Sequence, residues 1–479
     1  MNYRMIAKIL GRVMLLEAVL MIAPLLTALH YGETVTNYVI TIFVAGLLSA
    51  FLSAFKTKRD GLYAREGFVS VALSWTLMSL VGALPFCLAG EGLSYVDGFF
   101  EVVSGFTTTG ASILTDIEGT SHGLILWRSL SQWIGGMGVL VFIMAVLPLS
   151  ESNSMHIMRA EVPGPQVGKL VPRIRDSSAI TYMIYVGLTV LLIILLRLGG
   201  MPFFDSVVHA MSTASTGGYG SKALSIGFYD SAYIDIVIGI FMLLFGVNFS
   251  VYFLILMRKF RDAFTNTELL CYLGIAAFAT ITIAINIRGL YGTVTHALRY
   301  SFFQVSSVMT TTGFATADFE LWPSYSKWML VLLMFIGACS GSTGGGIKVS
   351  RLMMLTRAGG EEITKLFSPR KVTAVTLDGQ QISDSTIRST HVFFGLYIGI
   401  TFLATLIVCL DGFDLVTNFT AVVASISNVG PGLGLVGPAG NYAMFSDLSK
   451  IVLSLCMLIG RLEIYPMLML AMPSVWRRM

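Results

Sequence analysis

Four short segments rich in threonine, serine and glycine share one pattern and could supply oxygen ligands to a cation. They read TTTGAS, ASTGGYG, TTTGFA and SNVGPG, and their glycines align as Gly110, Gly217, Gly313 and Gly430. In potassium filters, backbone carbonyl oxygens replace the hydration shell of the ion. Glycine suits such a loop because it tolerates positive φ and adds no side chain at the axis. The pattern predicts a cation filter.

The alternative is that these glycines only let membrane helices pack closely. A single copy would favour packing, whereas four aligned copies favour a filter. The expected filter residues are Thr107, Thr108, Thr109, Gly110, Ala214, Ser215, Thr216, Gly217, Thr310, Thr311, Thr312, Gly313, Ser427, Asn428, Val429 and Gly430. Among them, we expect K⁺ to contact Thr108, Thr109, Ser215, Thr216, Thr311, Thr312, Asn428 and Val429, with hydroxyls adding to the carbonyl ligands.

A second glycine cluster, GACSGSTGGGIKVSR at 337–351, interrupts an apolar run of about thirty residues. A broken segment at membrane depth is tolerated where it faces a cavity. We interpret it as a gate, with a glycine-rich packing face as the alternative. It is not a phosphate-binding loop, because Ile347 separates the last glycine from Lys348. The expected gate residues are Gly341, Ser342, Thr343, Gly344, Gly345, Gly346, Lys348 and Arg461.

Several ionisable residues lie in the apolar runs. Arg461 needs a cavity or a partner there, and Glu463 is not its obvious partner. Lys348 has two open interpretations: a gating role, or snorkelling to the cytoplasmic interface. His209 is expected to be a packed residue. Glu17 and Glu463 are nearly the only protonatable residues expected inside the spans.

The composition indicates that these residues belong to a membrane protein. The 479 residues have a mean hydropathy of +0.78 and only 12% are charged, which excludes a soluble globule. Apolar runs long enough to cross a bilayer must be helices. We identify ten, near 8–27, 35–55, 69–89, 125–148, 179–199, 232–257, 268–287, 326–356, 390–410 and 448–472. The first is not a cleavable signal.

Each filter segment follows a helical stretch that is too short and too polar to span. Such a stretch enters the membrane and turns back. We therefore predict an all-α polytopic membrane protein, in which an N-terminal helix pair precedes four pseudo-symmetric helix, re-entrant pore loop and helix repeats around one central pore. The predicted units are the pair 1–66 and the repeats 67–176, 177–265, 266–386 and 387–479.

Charge sets the predicted orientation. Most of the 31 lysines and arginines fall in alternate loops, including 56–65, 159–175 and 258–261, so both termini are expected in the cytoplasm. The opposite face is net acidic, which could concentrate cations or simply reflect that bias. The five cysteines lie inside apolar runs and are expected to pack rather than form a disulfide framework or a zinc site.

Taken together, these motifs resemble the Trk/Ktr/HKT superfamily of potassium transporters, and within it the bacterial TrkH/TrkG pore subunits. The resemblance covers essentially the whole chain and also rests on 132–142, 159–165 and 460–465. It implies that the glycine run and Arg461 form the gate below the filter. In plant relatives, serine at the first filter glycine accompanies sodium permeation, and this chain has Gly110. The loops lack a full TVGYG signature, so modest selectivity over Na⁺ is expected.

The expected function is potassium uptake across the bacterial cytoplasmic (inner) membrane, with K⁺ as the transported ion and no organic cofactor. Two mechanisms stay open: a gated channel, favoured by the few buried protonatable residues, and a K⁺/H⁺ or K⁺/Na⁺ symporter. An enzyme is not expected, because no catalytic constellation is present. The resemblance implies a homodimer and a cytosolic nucleotide-binding regulatory ring similar to TrkA. Membrane lipids surround the chain, and no nucleic-acid partner is expected.

Overall fold

The structure is a computed structural model that describes residues 1–55, 64–90, 92–138, 174–369, 374–378 and 380–476, with the backbone alone at 64, 174–178 and 380. The motif at 159–165, the second half of the predicted span 125–148, and Arg477 and Arg478 lie outside the described residues. The described chain is almost entirely helical, as predicted. Its two short strands, β1 Thr376–Leu377 and β2 Gln380–Gln381, form one antiparallel hairpin with Thr376 opposite Gln381.

Long apolar helices form the frame. Six stretches of the described chain are long and apolar enough to cross a membrane: Tyr3–Tyr31, Thr36–Ser53, Arg65–Leu88, Ala179–Leu198, Thr267–Tyr291 and Asp384–Asp411. The helices within them are α1 Tyr3–Leu20, α2 Ile22–Tyr31, α3 Thr36–Ser53, α4 Ala64–Gly82, α5 Leu84–Leu88, α8 Ile174–Leu198, α13 Thr267–Tyr291 and α17 Asp384–Val408. The predicted N-terminal pair is present, with α1 packed against α3.

Four shorter helices, called the half-helices below, lead into the filter segments. They are α6 Tyr95–Phe106, α9 Phe203–Ala214, α14 Val294–Met309 and α18 Leu415–Ser427. At 12 to 16 residues they rise about 18–24 Å, less than a hydrocarbon core. Side chains cap the N-termini of three of them: the Ser94 hydroxyl accepts from the Asp97 amide at 3.1 Å, Thr293 caps α14 and Asp414 caps α18.

Four inner helices follow the filter segments. They are α7 His122–Met137, α10 Ala232–Phe245, α15 Ser324–Phe335 and α19 Asp447–Arg461. The sequence predicted an interruption only in the third. The uninterrupted spans predicted at 232–257 and 448–472 are wrong, because the second run bends by 91° after Phe245 and the fourth breaks where Glu463 and Ile464 take positive φ.

Helical segments continue beyond these breaks: α11 Phe249–Leu256, α12 Phe260–Phe264, α16 Val349–Phe367, α20 Tyr465–Ala471 and α21 Pro473–Trp476. Short 3₁₀ turns lie at Ser225–Tyr229, Phe319–Leu321, Cys409–Asp411 and Gly434–Val436.

The repeats close into a ring. Each inner helix packs against the half-helix of the next repeat: α7 against α9, α10 against α14, and α15 against α18, while α19 returns to α6. A four-membered ring of this kind brings the C-terminal ends of all four half-helices to one centre, which is the architecture expected from the four internal repeats.

Candidate ion filter and gate

The four segments that follow the half-helices, called the filter loops below, share one backbone pattern. In the first loop φ is −76° at Thr107, +56° at Thr108 and +81° at Gly110, while Thr109 does not have positive φ. The same alternation recurs in the other three loops. The positive-φ pairs are Thr108 and Gly110, Thr216 and Gly218, Thr311 and Gly313, and Asn428 and Gly430.

This pattern corrects the alignment of the second loop. The glycine equivalent to Gly110 is Gly218, with φ of +78°, and not Gly217. Gly217 instead matches Thr109, because its amide bonds the Ser212 carbonyl as that of Thr109 bonds the Ser104 carbonyl. Ala214 is the last residue of α9. The second loop is therefore 215–218 rather than 214–217, and the residues equivalent to Thr108 and Thr109 are Thr216 and Gly217, not Ser215 and Thr216.

The glycines and carbonyls of the loops close a second ring inside the first. A Cβ on Gly110 would collide with the carbonyl oxygen of Gly217 in the next loop, and one on Gly218 would collide with that of Thr312. A Cβ on Gly313 would meet the Val429 oxygen, and one on Gly430 would lie 2.6 Å from the Thr109 oxygen. Each loop therefore touches the next in the order one, two, three, four, one, and only glycine fits these contacts.

Threonine hydroxyls tie the first and third loops to their half-helices. The Thr107 and Thr109 hydroxyls lie 2.8 Å apart, and Thr107 donates to the Val103 carbonyl at 2.7 Å. In the third loop, the Thr310 and Thr312 hydroxyls lie 2.7 Å apart. These hydroxyls are hydrogen-bonded to one another and to helix-end carbonyls. The backbone carbonyls of the loops are therefore better placed than these hydroxyls to be the main oxygen ligands of a cation.

A buried ion pair braces the first loop. The Arg128 Nε lies 2.6 Å from a Glu101 carboxylate oxygen, and both side chains are almost fully buried. The other Glu101 oxygen accepts from the Ile113 amide at 3.0 Å. The Arg128 guanidinium also lies 4.0 Å from the centre of the Tyr219 ring, which couples the first repeat to the second.

Two further side chains hold filter-loop carbonyls. The Gln132 amide donates to the Gly217 carbonyl at 2.6 Å, and the Tyr442 hydroxyl donates to the Gly430 carbonyl at 2.6 Å. The sequence analysis missed these residues and the pair Glu101 and Arg128. Opposite charges in two neighbouring membrane segments were the available signal for that pair.

The glycine run at 337–348, called the intramembrane loop below, contacts the filter loops. The Gly345 amide donates to the Thr311 hydroxyl at 2.7 Å, and the Thr216 hydroxyl lies 3.4 Å from that of Thr343. A Cβ on Gly345 would collide with the Ser427 carbonyl oxygen. The intramembrane loop therefore contacts the second, third and fourth filter loops.

Backbone contacts fold the intramembrane loop back between α15 and α16. Ile336 and Ile347 form a parallel bridge. The carbonyl of Gly341, which has positive φ, accepts from the Phe249 amide at 3.1 Å. The Ser342 hydroxyl donates to the Cys339 carbonyl at 2.6 Å. The bend of the second inner helix thus makes room for the loop of the third repeat.

Arg461 contacts this loop, as the resemblance implied. Its guanidinium donates to the carbonyl oxygen of Thr343 at 2.7 Å and to those of Gly135 and Gly136 at 2.6 Å each. The side chain is 6% exposed. A buried guanidinium bound to three carbonyls joins the intramembrane loop, the first inner helix and the fourth inner helix.

Lys348 is also buried, at 1% exposure, and it donates to the carbonyl oxygens of Gly344 and Gly345. The snorkelling interpretation is therefore wrong. Glu463, on the fourth inner segment, accepts from Arg351 at 2.6 Å. A cleft lined in part by Gly346, Lys348 and Arg461 lies at this place.

More carboxylates are buried than the sequence indicated. Besides Glu17, the structure buries Glu66, Glu101, Asp205, Asp235 and Glu268, so the expected scarcity was wrong. These five have polar partners; Asp235, for instance, lies 2.7 Å from Arg299. His209 is fully buried, and its Nδ1 lies 2.8 Å from the Asp205 carbonyl oxygen, in agreement with a packed role.

Outside the membrane segments, Asp414 is exposed at the start of the fourth half-helix. Its carboxylate accepts from the Thr417 hydroxyl at 2.5 Å and from the Thr417 amide at 3.1 Å. These two donors favour the charged form and lower the pKa of Asp414 from its ordinary value. A negative charge at this N-terminal end stabilises the helix dipole, whose negative C-terminal end faces the filter loops.

The chain is similar in sequence and fold to known transport proteins. A family model described as "TrkH: Cation transport protein" matches residues 33–478. The chain is 36% identical over 100% of both chains to the Trk system potassium uptake protein TrkH of Salmonella typhimurium, and 34% identical over 99% of both to TrkG of Escherichia coli. The crystal structure of the potassium transporter TrkH from Vibrio parahaemolyticus superposes with a TM-score of 0.90 over 100% of both chains at 31% identity.

The family model matches nearly the full length of the chain. The matched relatives are transport proteins rather than enzymes, as expected from the sequence. With sequence identity above 30% across whole chains and the same fold, the chain belongs to the TrkH family of cation transport proteins.

Proposed function

We propose that this chain is the pore-forming subunit of a potassium uptake system. The observation that carries the proposal is the closed ring of filter loops, in which Gly110, Gly218, Gly313 and Gly430 each fit against a carbonyl oxygen of the next loop. A ring built by one chain defines one axis, and an ion crossing the ring meets oxygen atoms from all four repeats.

Backbone geometry and electrostatics support a cation as the cargo. Four half-helices point their C-terminal ends to the ring, and each end carries roughly half a negative charge. The alternating signs of φ recur in all four loops, and we propose that they turn backbone carbonyl oxygens toward the axis of the ring. Carbonyls arranged in this way are the ligands that replace the hydration shell of K⁺. The relatives are named as potassium uptake proteins.

The intramembrane loop is proposed to gate the pore. It lies against three filter loops and is held by Arg461, whose donor groups reach Thr343 and the end of the first inner helix. Loss of these contacts would favour an open position of the loop, because a two-state element follows the free-energy difference between its states. Lys348, the last residue of the loop, donates to the Gly344 and Gly345 carbonyls within it and is proposed to share the role.

The setting of the pore is proposed from the same family membership. We place the chain in the bacterial cytoplasmic membrane with both termini inside, in keeping with its basic loops. The name "Trk system" of the relatives supports additional components. We propose a homodimer of pores that binds a cytosolic nucleotide-binding ring.

A coupled symporter is the second candidate, and one observation favours it. Glu17 is fully buried, and neither carboxylate oxygen has a hydrogen-bond partner among the described residues. A carboxyl group in such a place can carry a proton. It lies beside Gly82 and Trp127 in the first repeat, away from the intramembrane loop contacts, so the channel remains the preferred mechanism.

Serine substitutions test the filter. Gly110, Gly218, Gly313 and Gly430 are replaced one at a time, and the ratio of K⁺ to Na⁺ uptake is measured in cells lacking other potassium systems. Each change should lower the ratio, because the side chain displaces a carbonyl from the ring. Gly274→Ser in α13 is the control, since a Cβ there meets nothing within 4 Å. An unchanged ratio in all four variants would reject the filter.

A further inference from the structure

Glu268, the second residue of α13, is bonded on both sides of the gate glycines of the intramembrane loop, to Ser340 before them and to Ser350 after them. Its carboxylate oxygen Oε1 accepts from the backbone amide of Ser340 at 2.7 Å and from that of Ser350 at 3.1 Å. The Ser340 and Ser350 hydroxyls are also bonded to each other, although ten residues separate them in sequence. Glu268 is 5% exposed. One buried oxygen atom therefore binds the two residues between which the gate glycines lie.

The hairpin formed by β1 and β2 is hydrogen-bonded, through Asp378, to the helix end that carries Glu268. The Asp378 carboxylate accepts from the Thr267 amide and hydroxyl at 2.7 Å each, and from the Asn266 side chain at 2.9 Å. Asp378 is exposed at the hairpin turn. These three bonds cap α13 one residue before Glu268, so a displacement of the hairpin must displace or release that helix end.

The hairpin also contacts the segment beyond the loop. Leu377 is 4% exposed and belongs to the apolar cluster that contains Ala338, Cys339 and Val349. Arg357 of α16 donates to the Thr376 carbonyl. The hairpin is thus bonded to the helix that follows the intramembrane loop, and it caps the helix that carries Glu268.

We infer that Glu268 is a positioning residue that latches the intramembrane loop closed, and that the cytoplasmic hairpin sets this latch through Asp378. The inference rests on the proposed gate. According to this inference, a change at the cytoplasmic face reaches the gate through the hairpin. The adjacent residues Thr267 and Glu268 connect them, because Thr267 is bonded to the hairpin and Glu268 to the intramembrane loop.

The native cysteines report the position of the loop. Cys339 is buried in the loop, and Cys456 is buried in α19. With Cys87, Cys271 and Cys409 replaced by serine, the rate of alkylation at Cys339 measures release of the loop, whereas the rate at Cys456 measures general loosening of the fold. The regulator-free K⁺ flux and the K⁺/Na⁺ ratio are measured on the same purified full-length chain in liposomes.

Glu268→Ala should raise both the Cys339 alkylation rate and the flux by about tenfold, since hydrogen bonds to a charged group are the stronger kind, and Glu268→Gln should raise them less. Asp378→Ala should act in the same direction and add little in the Glu268→Ala background, because both act through one connection. The K⁺/Na⁺ ratio and the Cys456 rate should stay at wild type. Asp384→Ala, at the start of the neighbouring helix α17, is the control and should change nothing.

The measurements distinguish failure of the proposed latch from failure of the proposed gate. If Arg461→Ala raises flux while Glu268→Ala changes neither flux nor Cys339 alkylation, the latch is rejected and the gate stands. If neither variant changes flux, the gate itself is rejected, and the latch with it. A parallel rise at Cys456 would assign the effect to loss of packing and would also overturn the latch.

Discussion

The guanidinium of Arg461 donates a hydrogen bond to the carbonyl oxygen of Thr343 across 2.7 Å. The contact joins the last inner helix to the middle of the intramembrane loop. Thr343 in turn lies 3.4 Å, hydroxyl to hydroxyl, from Thr216 of the second filter loop. A single buried cation therefore connects the fold of the fourth repeat to a loop that touches the filter.

Removing this contact should open the pore. Arg461→Ala deletes bonds from a charged donor to buried carbonyls, which are worth about 1.5–3 kcal/mol each. Regulator-free K⁺ flux into liposomes should rise at least about tenfold, with the K⁺/Na⁺ ratio unchanged. Arg461→Lys, which keeps the charge but not the fork of donors, should give an intermediate flux. A lower flux with altered selectivity would place Arg461 in the ion path instead.

The register of the second filter loop predicts different outcomes at its two glycines. Gly218→Ala requires a side chain at positive φ and against the Thr312 carbonyl, and it should lower the K⁺/Na⁺ uptake ratio severely. Gly217 does not have positive φ, and a Cβ there meets the Gln132 side chain rather than backbone, so Gly217→Ala should be milder. Equal losses, or the larger loss at Gly217, would favour the alignment taken from the sequence.

The buried pair behind the first loop should be needed for stability. Arg128→Met leaves the Glu101 charge without its cation, which costs about 3–5 kcal/mol. The apparent melting temperature in detergent should fall by several degrees or more. The double variant Glu101→Gln with Arg128→Met should recover much of the loss, because no uncompensated charge remains. Equal melting temperatures for the single and double variants would contradict this role.

Glycine requirements made much of the filter predictable. Gly110, Gly313 and Gly430 each occupy a positive-φ position that disfavours other residues, so their spacing after a polar half-helix was informative. The second loop contains two successive glycines, Gly217 and Gly218. Sequence alone does not say which of them takes the strained position, and the one-residue error arose there.

Arg461 was predictable because a charge in an apolar run requires a partner. Its actual partners are the backbone carbonyls of Gly135, Gly136 and Thr343, and carbonyls leave no mark in a sequence. The sequence did not indicate the proposed role of Glu268 for the same reason, because Glu268 binds backbone amides. The bend after Phe245 was missed because the apolar run continues across it, and mean hydropathy does not respond to helix direction.

The most direct test is the reversal potential of the purified protein in liposomes, measured under K⁺, Na⁺ and H⁺ gradients imposed one at a time. A pore through the ring of filter loops predicts a reversal potential that follows the K⁺ gradient, responds weakly to Na⁺ and does not respond to H⁺. A reversal potential that follows the H⁺ gradient would contradict a passive pore and favour coupled transport.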